Sequence, residues 1–188
     1  MRSRKLGKFE GFVRRIVESF NESRINYAFT GALAASYFGT PRTTIDVDVV
    51  VKVSEKQLET NLVTALRKAG LQVDERRIRK MLKSGYRILT FKDEKSSFTL
   101  DVMLSDKELR RRSGIILALP TFYQIPEDLI LAKLRMIKAT VPRERAQKDR
   151  DDVKAILRES KVNVDALKRR ARKENTLNIL EELEEDFK

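Results

Sequence analysis

The sequence predicts an α+β fold, a β-sheet body flanked by helices over residues 1 to 124, with a helical region packed on it over 125 to 188. Three observations predict it. From Thr44 through Val49 apolar and polar residues alternate, and the run continues to Val51, which is the pattern of a half-buried strand. On either side of that strand, helical and strand patterns take turns as far as residue 124. From Pro126 onward the period is helical throughout.

Each element has its own signal. Residues 1 to 8 are basic and read as a frayed lead. Phe9, Phe12, Val13, Ile16, Val17 and Phe20 recur at helical spacing, so residues 9 to 23 read as an amphipathic helix. A short strand, Tyr27 to Phe29, meets Thr30-Gly31, and a small-residue helix (Ala32, Ala34, Ala35) follows. Gly39-Thr40-Pro41 turns the chain into the Thr44 to Val51 strand. Ser54 reads as the N-cap of a helix whose apolar face is Leu58, Leu62, Ala65, Leu66 and Ala69, and Gly70 closes it. A strand is placed near Leu71 to Val73. Asp74 to Lys83 is too charged for a core element and reads as a short exposed helix. Arg87 to Lys92 and Ser97 to Leu104 form a hairpin around Asp93-Glu94-Lys95. Ile115 to Leu119 reads as a strand and Tyr123 to Ile125 as a short edge segment. Pro126-Glu127-Asp128 opens a largely buried helix, Pro142 breaks it, and helices follow near 145 to 158, 163 to 173 and 175 to 187.

Composition narrows the chemistry. The chain has no cysteine and no histidine, so thiolate zinc sites, thiol nucleophiles and imidazole bases are excluded. Catalysis has to run on carboxylates, Lys, Arg, Ser, Thr or Tyr, which favours oxygen-ligated magnesium or manganese. The formal charge of +12 points to a polyanionic partner such as nucleic acid or nucleotide phosphates. A charged fraction of 36% is also a bias of proteins from hot-living organisms, and that reading stands beside the first. No window of about twenty apolar residues exists, so no membrane span and a cytoplasmic location are expected.

Within the central strand Asp46 and Asp48 are two residues apart and share a face, opposite Ile45, Val47 and Val49. Two anions so close repel unless a positive charge lies between them, and a divalent cation is the usual answer. Asp101 stands on a later strand, facing away from Phe98, Leu100, Val102 and Leu104. Upstream, Gly31 begins a helix whose free N–H groups suit phosphate.

Phe29-Thr30-Gly31-Ala32 followed by Asp46-Val47-Asp48 resembles the signature of the nucleotidyltransferase superfamily, the DNA polymerase β-like fold. The run Gly39-Thr40-Pro41-Arg42-Thr43-Thr44-Ile45-Asp46-Val47-Asp48 is most similar to its AbiEii-like, toxin-type branch. So are Pro126-Glu127-Asp128-Leu129, Lys133, Arg145, Lys148-Asp149 and Asp152 downstream. The resemblance spans about residues 10 to 158. It implies a mixed β-sheet in a nucleotidyltransferase-like core over 1 to 124. It also implies two-metal-ion transfer of a nucleoside monophosphate from a nucleoside triphosphate to a hydroxyl of RNA, with transfer RNA favoured by the charge, or of protein, and a place in a toxin–antitoxin pair. Asp46, Asp48 and Asp101 would be the catalytic and metal-binding residues, holding Mg2+ or Mn2+. Thr30, Gly31, Arg42 and Lys133 would bind the nucleotide. Ala32 departs from the family's Gly or Ser at that position, and the alternative is a catalytically degenerate nucleotide- or nucleic-acid-binding protein of the same fold.

Several residues carry two readings. Lys133 either neutralises phosphate or snorkels from a buried helix. Asp149 and Asp152 are either catalytic or surface partners of Arg145 and Lys148. Arg110-Arg111-Arg112 is a solvated loop or a phosphate contact. The basic stretch Lys168 to Lys173 is an RNA surface or the partner of the acidic final helix.

Overall fold

The structure, a computed structural model, describes residues 7–52, 61–84 and 87–185. Among these it forms a six-stranded mixed sheet and eight α-helices. The elements are α1 (Lys8–Glu22), β1 (Tyr27–Phe29), α2 (Gly31–Phe38), β2 (Asp46–Lys52), α3 (Val63–Lys68), α4 (Glu75–Lys83), β3 (Ile88–Lys92), β4 (Thr99–Ser105), β5 (Arg111–Ile116), β6 (Leu119–Gln124), α5 (Pro126–Ala139), α6 (Gln147–Glu159), α7 (Val164–Lys173) and α8 (Leu177–Glu185), with a 3-10 turn at Arg143–Ala146. The Ser54 cap and Leu58 lie outside the described residues.

The chain divides into two compact units. The first comprises residues 1–30 and 44–123, and the second 31–43 and 124–188, so the segment bearing α2 groups with the C-terminal helices.

In the first unit the strand order is β3-β4-β2-β1-β6-β5. β2 runs parallel to β4 and antiparallel to β1, β1 runs parallel to β6, and β3 runs antiparallel to β4. Val47, Val49, Val51, Leu100, Val102, Leu89 and Phe91 are buried, as strand alternation requires once one face packs on a core. The apolar stripe of α1 (Phe12, Val13, Ile16, Val17, Phe20) is buried too. Phe12 meets Phe98 at 5.6 Å and Phe20 meets Tyr27 edge-on at 5.2 Å. Arg15 ties α1 to the end of α3 through the Ala69 carbonyl (3.0 Å) and to Asp93 (2.5 Å). Gly70 has φ +79° and ends that helix, the left-handed conformation a closing glycine supplies. Tyr27 is buried and its hydroxyl shares a hydrogen bond with the Thr121 hydroxyl at 2.8 Å. Burial pushes the Tyr27 phenol above its ordinary pKa, against the smaller lowering effects of Thr121 and Arg111.

Four local expectations are corrected. Leu71 makes only an isolated bridge to Asp93, not a strand. The Ile115 to Leu119 run is split by a turn, since Leu117 and Ala118 both have positive φ (52° and 64°) and reverse the chain from β5 into β6. Consequently β6 is an interior strand and β5 the edge. Arg111 belongs to β5 rather than a loop. Its guanidinium lies 3.8 Å from the Phe122 ring centroid and donates to the Tyr27 carbonyl at 3.0 Å, so it serves packing.

In the second unit Leu129, Ile130, Leu131 and Leu134 of α5 are buried, with Val153 and Ile156 of α6, Leu167 of α7 and Leu180 of α8. Ala34, Ala35 and Phe38 of α2 complete this core, with α2 packed against both α5 and α6. Gly39 is where α2 meets α6 most closely. A Cβ there would stand 2.9 Å from the Ala155 Cβ and 3.1 Å from the Ile156 nitrogen. Gly39→Ala is therefore expected to lower stability by about 1–3 kcal/mol, read as a shifted urea or thermal midpoint, because rigid helix backbone has to yield. Lys168 bonds Glu184 at 2.7 Å, the basic-to-acidic helix pairing expected, and that bond raises its pKa. Arg170 instead takes Asp128 of α5 at 2.5 Å.

Candidate active site

β2 and β4 pair in parallel with Asp48 directly opposite Asp101, and Asp46 opposite Thr99. Directly paired residues in a sheet project to the same face, and residues two apart share it as well. Asp46, Asp48 and Asp101 therefore stand on one face of the sheet, away from the buried Val47, Val49, Leu100 and Val102. Asp46 is exposed, while Asp48 and Asp101 are half-buried. Strand spacing sets the Asp48 and Asp101 backbones roughly 5 Å apart.

Two hydroxyls engage this face. Thr99 Oγ1 donates to Asp46 Oδ1 at 2.7 Å, and Thr90 Oγ1, from β3, donates to Asp101 Oδ1 at 2.6 Å. The Thr90 register makes the second bond possible, since Thr90 pairs with Asp101 across the β3–β4 ladder. Strand parity puts Thr99 on the Asp101 face, but its cross-strand bond to Asp46 depends on register. Thr90 carried no sequence signal at all.

The backbone of the glycine turn is anchored beside the same carboxylates. Thr30 N–H donates to the Asp48 carbonyl at 3.0 Å. Thr30 itself is 4% exposed. Gly31 follows with φ +57°, a conformation that side chains disfavour, and opens α2. Ala32 is buried.

Arg42 and Lys133 come together in the second unit, around Asp152. Arg42 grips both Asp152 oxygens, through Nε at 3.0 Å and a terminal nitrogen at 3.1 Å. Lys133 Nζ donates to Asp152 at 2.6 Å and to Asp149 at 2.9 Å. The Lys133 and Asp152 side chains are each 6% exposed. Formally the two cations and two anions cancel. Asp149 and Asp152 thus answer Lys133 and Arg42 rather than Arg145 and Lys148, and Lys133 does not snorkel to water.

No family model matches the chain, and no curated protein matches it. Solved structures do. The antibiotic-resistance factor ANT(2'')-Ia, seen in its solution structure, is similar over 94% of this chain and 97% of that one, with a TM-score of 0.64 and 14% identity. The fold is that of the nucleotidyltransferases. LnuA, a lincosamide antibiotic adenylyltransferase solved with lincomycin bound, has a TM-score of 0.53 and 12% identity, over 81% of this chain and 99% of its own. An antigenic nucleotidyltransferase-like protein from Paracoccidioides brasiliensis has a TM-score of 0.54 and 18% identity, over 81% and 77%.

The nucleotidyltransferase fold raises the question of a metal. Among the described residues no group of three or more acidic side chains converges as a metal site. The donor set nevertheless fits a hard divalent cation in type, all carboxylate oxygen, and in placement, three acids on one sheet face in adjacent register. Among the described residues no helix is long and apolar enough to cross a membrane.

Proposed function

We propose that this protein is a nucleotidyltransferase, transferring a nucleoside monophosphate from a nucleoside triphosphate to a hydroxyl. The observation that supports it is Asp48 and Asp101 in direct register with Asp46 on the same face, with the Thr30 N–H bonded to the Asp48 carbonyl. Asp46, Asp48 and Asp101 would hold magnesium or manganese, which when bound supplies charge stabilisation to the attacking and leaving oxygens. Asp101 accepts the proton of the acceptor hydroxyl on its carboxylate. The freed oxygen bonds the α-phosphorus, the bond from that phosphorus to the bridging oxygen breaks, and pyrophosphate leaves. By the resemblance of Phe29-Thr30-Gly31-Ala32 to the family signature, the Gly31 and Ala32 amides would be donors to the triphosphate.

Thr99 and Thr90 hold two of these carboxylates in place. Thr99→Val keeps the shape and deletes the donor to Asp46. Transfer is expected to fall about tenfold, as for other lost partners of ligating groups, while the melting midpoint stays put. Thr99→Ser should restore it in the same rate assay.

With a charge of +12, the acceptor is RNA before protein, and transfer RNA is the favoured class. ANT(2'')-Ia has been solved with adenylyl-2''-tobramycin and LnuA with lincomycin, so a small hydroxylated acceptor is the other class to test. Incubation with each labelled triphosphate, magnesium or manganese, and total RNA or cell extract reads donor and acceptor together. Label is expected in RNA; label confined to protein or to small molecules moves the acceptor class.

A second reading, a binder that has lost turnover, draws on Ala32 and on Arg42 and Lys133 being held by Asp152 and Asp149. Metal-dependent triphosphate binding by calorimetry, with no transfer to any acceptor, would establish it. The toxin–antitoxin role rests on the likeness of the Gly39 to Asp48 string to the AbiEii-like branch, and the adjoining reading frame tests it.

A further inference from the structure

α4 is the most one-sidedly charged element of the first unit. Its nine residues include Arg76, Arg77, Arg79, Lys80 and Lys83, against Glu75 alone. Glu75 is engaged by Arg67 at 2.6 Å and approached by Arg79 at 4.0 Å. Arg76, Arg77, Lys80 and Lys83 are exposed and form no ion pair among the described residues. Ile78 is the buried anchor of the helix, so the cations are not what folds it. Such a concentration of like charge costs self-repulsion, which an anionic partner would relieve.

Its position gives the charge a direction. A cleft between α4 and β3 is lined by Asp74, Arg77 and Met81 on one side and by Leu89, Thr90 and Phe91 of β3 on the other. β3 is the edge strand next to β4, and Thr90 in the cleft wall is the residue bonded to Asp101. Leu89 and Phe91 point to the buried side of the sheet and Thr90 to the Asp101 side, so the cleft meets the sheet at its β3 edge and the carboxylate face lies around that edge. Lys92, on the same face of β3 as Thr90, and Arg87 ahead of the strand add two exposed cations near that edge.

We propose that the basic face of α4 and the cleft beside it bind the phosphate backbone of an RNA acceptor, bringing its hydroxyl end to Asp101. The assignment of that end rests on the transferase reading; the RNA surface itself does not. A polycationic small acceptor is disfavoured on this side, since it would meet the five cations of α4.

The test is fluorescence anisotropy of a fluorescein-labelled 20-nucleotide single-stranded RNA with the full chain, without triphosphate or metal, from about 0.05 to 0.3 M salt. Arg76→Gln/Arg77→Gln/Lys80→Gln is compared with Arg169→Gln/Arg172→Gln/Lys173→Gln on α7, which removes equal charge from another exposed basic helix. Three lost phosphate contacts should weaken binding roughly 100-fold at 0.1 M salt and reduce the salt slope by about 2, while the α7 variant stays within about twofold of wild type. Equal weakening by both variants, an unaffected α4 variant, or no RNA binding by the wild-type chain overturns the proposal. So does equally tight binding of poly-glutamate, which would mark an acidic protein partner. Lysine acetylation of the wild-type chain with and without RNA needs no variant to fold: protection at Lys80 and Lys83 supports the surface, and protection at Lys173 instead overturns it. Loss of RNA binding in the α4 variant, with no transfer by wild type, sinks the transferase reading and leaves this surface standing.

Discussion

Asp48→Asn is expected to leave a folded protein whose nucleotide transfer has fallen about 1,000-fold or more, a loss of roughly 4 kcal/mol of transition-state stabilisation. The amide matches the carboxylate in shape, so β2 keeps its register with β4. What it loses is the charge directly opposite Asp101. Stability should change far less than the rate, since the amide keeps a hydrogen-bonding oxygen. Three like charges share that sheet face, so neutralising one also lessens their mutual repulsion. The combination is diagnostic, because a merely structural aspartate would lower the melting temperature when neutralised. Initial rates with labelled triphosphate and a thermal melt on the same sample give both readings. Undiminished transfer by this variant would remove the transferase proposal.

Asp152→Ala should cost stability instead, about 3–5 kcal/mol, or a melting point lower by roughly 10 °C. Asp152 receives three hydrogen bonds, two from Arg42 and one from Lys133. Removing it leaves Lys133, 6% exposed, with Asp149 alone. A buried ammonium left with one of its two carboxylates, and Arg42 left without its partner, make the deletion expensive. Asp149→Ala should cost less, since Asp149 is 29% exposed and makes only one of these bonds. Adding Lys133→Met to Asp152→Ala should recover part of the loss, because the stranded charge goes with it. A double variant no better than Asp152→Ala would assign the loss to Arg42 or to packing.

What could be read in advance followed local periodicity. The parity of β2 put Asp46 and Asp48 on one face, and the parity of β4 did the same for Asp101, because side-chain direction in a strand needs only counting. That Asp48 lies opposite Asp101, rather than a residue two places along, is register, and nothing local encodes it. The turn at Leu117-Ala118 was illegible for another reason. Positive φ is normally announced by Gly or Asn, and here two apolar residues adopt it inside what reads as one strand. Asp149 and Asp152 misled through helical spacing. Arg145 and Lys148 stood at the distances where helix pairs form, whereas the partners chosen, Lys133 and Arg42, come from other elements.

The segment 31–43 leaves the first unit after β1, joins the second, and returns to begin β2. Neither unit is therefore one uninterrupted length of polypeptide. During synthesis Ala35 and Phe38 emerge long before the α5 and α6 residues that share their core, and the ribosome must deliver residue 156 before that core can close. Cutting the gene near residue 124 would strand this early loop without its late partners, so a fragment ending there should be prone to aggregate.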